Sequence, residues 1–131
     1  MQPQFTLALP RLERTTLCPD GVSVLAAGFP GVYRWDLSTG QQTCVYHDLA
    51  HRYTCWEAAV SADEKLVVAG FGDKSLHVWD YASGRHVRRL AGHDAIVTST
   101  AMAERTRALT GAHDQTVRLW DCETGVQVGC L

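Results

Sequence analysis

Trp35-Asp36-Leu37-Ser38-Thr39-Gly40, Trp79-Asp80-Tyr81-Ala82-Ser83-Gly84 and Trp120-Asp121-Cys122-Glu123-Thr124-Gly125 are one pattern written three times. Each Trp-Asp pair closes an apolar run, and a Gly follows four residues after the Asp. The tryptophans lie 44 and 41 residues apart. Self-similarity at a fixed period of this length is the mark of a repeat architecture, in which each unit covers the apolar face of the next.

Working outward from the tryptophans, strand-like runs occupy Val22–Phe29, Leu66–Phe71 and Arg107–Ala112, and each carries a glycine, Gly28, Gly70 and Gly111. The intervals align these glycines as equivalents. They also place a two-residue shortening in the turn Phe29-Pro30-Gly31 relative to Phe71-Gly72-Asp73-Lys74-Ser75. Polar turns, such as Pro19-Asp20-Gly21, precede each run. Before each Trp the chain alternates: Leu76 and Val78 in the second segment and Val117 and Leu119 in the third put aliphatics on one face, whereas the first has Val32 and Arg34. With a run before each polar turn and another after each Asp-x-x-x-Gly, every segment holds four short strands. The expected fold is all-β: a partial β-propeller of about three four-stranded antiparallel blades, residues 1–47, 48–90 and 91–131, the first degenerate.

The composition is that of a globular protein, 46% hydrophobic and 20% charged, with net charge −2. It gives no electrostatic reason to expect nucleic acid or a membrane surface, and no run of 18 apolar residues is present. Residues 1–10 lack the basic start of a signal peptide. Five cysteines, an odd number with no Cys-x-x-Cys, read as reduced thiols. A cytoplasmic location is expected, with the nucleus as the alternative.

In its Trp-Asp pairs and in Gly92-His93, Thr110-Gly111, Asp114 and Trp120, the chain resembles the WD-repeat β-propeller family over nearly its whole length. The resemblance implies a hydrogen-bonded tetrad in the third blade of His93, Thr110, Asp114 and Trp120. It implies a partial one in the second, of His51, Asp73 and Trp79. There Ala69 replaces the threonine, so the Trp79 indole N–H is expected to lack its hydroxyl partner. In the first blade only Trp35 is left. The physical logic holds independently: a buried carboxylate is costly unless its acceptor sites are filled, and a histidine beside it supplies a donor.

Other motifs weigh toward structure. His47-Asp48-Leu49-Ala50-His51 has the i, i+4 spacing of a zinc-protease helix but falls between strands, so no metal is expected. Gly70–Ser75 lacks the spacing of a phosphate loop. Arg85, His86, Arg88 and Arg89 fall on an outer strand and read as a solvated edge, with an acidic partner site as the alternative. No nucleophile elbow is present, and Asp36, Asp80 and Asp121 recur once per blade as turn formers; no enzyme activity and no cofactor are expected.

The binding candidates cluster elsewhere. Trp56 lies five residues after His51, as Thr98 lies five after His93. The resemblance implies that this position is near the channel mouth, on the face of the inter-blade connections, shared with Tyr53, Arg52, Lys74, Asp94 and His113. The reading is a protein-interaction scaffold whose partners are other proteins or the missing blades of its own propeller. The alternatives are a sensor segment of a larger multidomain protein and a self-assembling structural wedge.

Overall fold

The computed structural model describes residues 11–46, 53–104 and 106–131. Twelve strands form three antiparallel sheets in chain order. The first blade holds β1 (Arg11–Leu17), β2 (Ser23–Phe29), β3 (Val32–Asp36) and β4 (Gln41–Tyr46). The second holds β5 (Cys55–Val60), β6 (Leu66–Phe71), β7 (Ser75–Asp80) and β8 (His86–Ala91). The third holds β9 (Val97–Met102), β10 (Arg107–Ala112), β11 (Val117–Asp121) and β12 (Val126–Cys130).

The repeated aspartates make the turns between the third and fourth strands. Asp36 accepts from the backbone N–H groups of Ser38 and Thr39, Asp80 from Ser83, and Asp121 from Glu123 and Thr124. The glycine N–H then returns to the aspartate carbonyl in each turn, at φ of 72°, 76° and 80° for Gly40, Gly84 and Gly125. That left-handed backbone is where glycine has no steric penalty.

Strand pairing corrects the alignment drawn from the glycines. Trp35, Trp79 and Trp120 face Val24, Val67 and Ala108 across the sheet. Counting from these pairs makes Ala27, and not Gly28, the equivalent of Gly70 and Gly111. The turn after β2 is therefore shorter by one residue rather than two: Ala27 pairs with Val32, while Gly70 pairs with Leu76. Each innermost strand also carries one extra residue, where two residues stand opposite one: Glu13 in β1, Trp56 in β5 and Thr98 in β9. Such bulges re-aim a side chain away from the ladder.

The blades pack face to face in two seams. In the first, Leu25, Ala27, Val32 and Tyr46 of blade one meet Cys55, Val67, Ala69, Phe71, Trp79 and Tyr81. In the second, Val68, Leu76, Val78 and Leu90 meet Ala108, Trp120 and Cys122. Full burial of each valine or leucine contributes about 1.5–3 kcal/mol by transfer from water. Arg34, the irregular position before Trp35, reaches across the first seam to donate to the Tyr81 carbonyl at 3.0 Å, its guanidinium 4.2 Å from the Tyr81 ring centroid. A charge at an aliphatic position is thus paired with the neighbouring blade.

Gly70 lies where blade three closes on blade two. A Cβ there would overlap Val97 Cγ1 and sit 2.8 Å from Val97 Cβ. Its equivalent Gly111 faces outward, and a Cβ there would meet nothing nearer than Ser99 at 3.6 Å. We therefore expect Gly70→Ala to destabilise by about 1–3 kcal/mol through overpacking, and Gly111→Ala to leave stability within about 0.5 kcal/mol. Urea unfolding of the two variants measures the difference, and equal losses would contradict this account of the seam.

Candidate functional site

Blade three builds a continuous polar chain from strand to turn. The Trp120 indole N–H donates to Thr110 Oγ1 at 2.8 Å, and Thr110 Oγ1 lies 2.7 Å from His93 Nε2. His93 Nδ1 lies 2.8 Å from Asp114 Oδ2. Because the Thr110 oxygen already accepts from the indole, its hydroxyl proton is free to go to His93 Nε2. That assigns the neutral ring's proton to Nδ1, from which it donates to Asp114. Asp114 further accepts from the N–H of Asp94 and from the N–H and hydroxyl of Thr116. These bonds hold Gln115 between them in a left-handed conformation, φ 68°.

The electrostatics follow from the donor count. Burial pushes the Asp114 carboxyl up, but the Thr116 hydroxyl, His93 and two backbone N–H groups outweigh it and hold the group far below the ordinary carboxylate range. Arg118, four residues on, adds its guanidinium at 3.7 Å.

Blade two builds a similar turn. Asp73 accepts from the N–H and hydroxyl of Ser75, with Lys74 left-handed between them at φ 71°. Its histidine partner among the described residues is His77, with Nε2 at 2.8 Å. His51 and Arg52 lie outside the described residues, as does the His47–His51 motif. His77 stands two residues before Trp79, where blade three has Arg118. The ring is buried, stacked on Trp79, with Nδ1 2.9 Å from His86 Nε2. Burial raises the Asp73 carboxyl, but His77 and Ser75 bring it down to about 2.

The expected orphan at Trp79 is not found. With Ala69 opposite, Trp79 is fully buried among the rings of Tyr46, Phe71, His77 and His86, and it is not without partners. In blade one, Ala26 stands where Thr110 stands in blade three. There Trp35 Nε1 is shielded from solvent with no hydrogen-bond partner among the described residues.

The solvated edge expected on β8 is also not uniform. Arg89 reaches Asp73 at 3.4 Å and Ser75 at 3.1 Å, His86 meets His77, and Arg88 turns toward the second seam.

At the end of the sheets carrying the connections between blades, the bulge residues Glu13, Trp56 and Thr98 form a row on the three innermost strands. The Trp56 ring is half-buried, with the Arg11 guanidinium 5.8 Å from its centroid, and Arg11 pairs with Glu13 at 2.7 Å. Trp56 Nε1 is out of solvent and unpartnered among the described residues. Tyr53, Lys74, Asp94 and His113 are exposed on connections at this end, and Thr98 is half-buried. Glu13 and Arg11 were missed from sequence because the first segment has no histidine from which to count. Among the described residues no group of three or more His, Cys, Asp or Glu side chains is placed to hold a metal ion.

These features define a propeller-blade repeat protein, and the chain belongs to the WD-repeat family: the family model for the WD domain, G-beta repeat, matches residues 42–80 and 84–121. Each matched window begins in the fourth strand of one blade, or just before it, and ends on the third strand of the next. Mouse transducin-like enhancer protein 2 is 31% identical over 114 residues, 86% of this chain and 15% of the relative. Protein tipD of Dictyostelium discoideum is 29% identical over 70% of this chain and 14% of its own length. The chain thus spans about one seventh of these relatives. The solved structure of U3-55K matches 92% of this chain at TM-score 0.85 and 20% identity, over 39% of its own length; that of the RRP9 WD40 repeats matches at 0.83 over 38%. Both share the fold.

Two measurements test the site. Thr110→Val leaves an indole N–H and a histidine nitrogen unsatisfied, with an expected loss of about 2 kcal/mol or more, and Thr110→Ser restores most of it; urea unfolding reads both. The carboxyls of Asp73 and Asp114 titrate lower in the fold than in the unfolded chain. Their stabilisation is therefore complete above about pH 4 and drains as pH falls toward the Asp73 value of about 2. The Asp73 part amounts to about 2 kcal/mol. Urea midpoints between pH 7 and pH 2 should fall steeply in wild type and less so in Asp73→Asn.

Proposed function

We propose that this chain is part of a protein-docking platform, and that partners bind at the end of the sheets where Trp56 lies. WD-repeat proteins generally serve as non-catalytic scaffolds, and the hydroxyls that meet imidazoles beside a carboxylate, Thr110 at His93 and Ser75 at His77, are buried away from any substrate. The reading rests on Trp56. Its ring is partly open to water, it sits at a bulge that aims it out of the sheet, and its N–H has no hydrogen-bond partner among the described residues. Tyr53, Lys74, Asp94, Thr98 and His113 supply a mixed polar surround, and Arg52 joins them by sequence position. Tryptophan and tyrosine are the residues that most often dominate such interfaces.

A second surface supports the missing-blade alternative. On the outer face of blade three, Leu109 and Val117 are 38% and 42% exposed, beside Gly111. They repeat the Val68, Leu76 and Gly70 pattern that blade two buries against blade three. A further blade is the body whose shape this face matches, and it does not compete for Trp56.

Affinity capture with the full chain tests the main reading. Trp56→Ala should weaken retained partners by roughly 30-fold or more, while Val128→Ala, on the outer strand of blade three, leaves them bound. Unchanged capture by a folded Trp56→Ala protein would refute it.

A further inference from the structure

The second seam opens to solvent at the end of the sheets opposite Trp56, as a cleft of about 430 Å³. Leu66 and Val87 line one side, Thr106, Cys122 and Glu123 the other, and Lys65 and Arg88 bring positive charge. Arg88 is its distinctive group. Its Nε is shielded from solvent and has no hydrogen-bond partner among the described residues, and no carboxylate among them pairs with its guanidinium. Shielded guanidinium donors are ordinarily paired, because losing water without gaining an acceptor is costly.

The chain holds Arg88 in this position. Its Nη1 lies 2.7 Å from where a Cβ on Gly125 would be, so the glycine turn of blade three makes room for it. In the first seam the same place beside Gly84 is taken by the Cys44 thiol, 2.8 Å from the corresponding Cβ position. One seam thus carries a thiol and the other a cation whose Nε has no acceptor among the described residues. Among the described residues neither of the cleft's acids pairs with Arg88: Asp63 accepts from the Ser61 hydroxyl and the Lys65 N–H, and Glu123 makes no ion pair.

We propose that this cleft is a second binding site, which takes the carboxylate of an acidic side chain in an extended peptide, with Arg88 as its anchor. A planar guanidinium matches a carboxylate in a two-point hydrogen bond. Leu66 and the 37% exposed Val87 give the flanking residue of the peptide an apolar wall. A polyphosphate or nucleic acid fits less well, since Asp63 and Glu123 would repel its further charges while a single carboxylate meets a single guanidinium. The site is independent of the Trp56 surface, being formed by the turns at the other end of the sheets.

Nuclear magnetic resonance on the full chain tests it, with a blocked peptide bearing one glutamate among leucine and glycine residues as the probe and its glutamine counterpart as control. The glutamate peptide should shift the Arg88 Nε–Hε resonance and the methyls of Leu66 and Val87. The glutamine peptide should do neither. Arg88→Gln should lower affinity at least tenfold with an unchanged unfolding midpoint, and Trp56→Ala should leave it intact. An unmoved Arg88 resonance, equal binding of the two peptides, or full affinity in Arg88→Gln would each overturn the proposal.

Discussion

Blade two has no wet face over its two central strands. β6 and β7 are buried almost throughout, so the sheet exists only because another closes on each side. A four-stranded sheet with two apolar faces is not a stable object alone, and the seams supply what a single core supplies elsewhere. The close approach sets strict local demands. Gly70 must lack a side chain because Val97 fills its place, whereas Arg34 is tolerated at an aliphatic position because Tyr81 of the next blade receives it.

Between the seams, the turns are fixed by carboxylates. Asp114 and Asp73 each anchor a left-handed residue by accepting from the N–H and hydroxyl two positions later, and each is tied to the blade interior through an imidazole. Blade three draws that imidazole from the connection ahead of its first strand; among the described residues blade two supplies one from within its third strand, a donor beside the buried charge in each case. Blade one, with neither group, is held by its seam with blade two, through Arg34, Tyr46 and the Arg14–Glu57 pair at 2.8 Å.

The architecture was legible because the signals that carry it are local. Trp-Asp pairs, Asp-x-x-x-Gly turns and alternating aliphatics each act within a few residues, and they define twelve strands closely. Alignment of the blades was less legible. A bulge adds a residue without a sequence signature, and Gly28, adjacent to the true equivalent Ala27, offered a false match. The roles of His77 and Arg88 were hidden for a related reason. Each sits on a strand where alternation says which face it occupies, but not that a turn carboxylate or a neighbouring blade's glycine waits there. Trp56 could be singled out by counting from His51, while Arg11 and Glu13 had no such reference.

The windows matched by the family model run out of step with the sheets, from the outer strand of one blade to the third strand of the next. The stretch of sequence that recurs is therefore not the unit that folds. Each stretch carries an outer strand along with the three inner strands of its successor, so it straddles a joint between two bodies. Every joint is thus fastened by continuous chain as well as by packing.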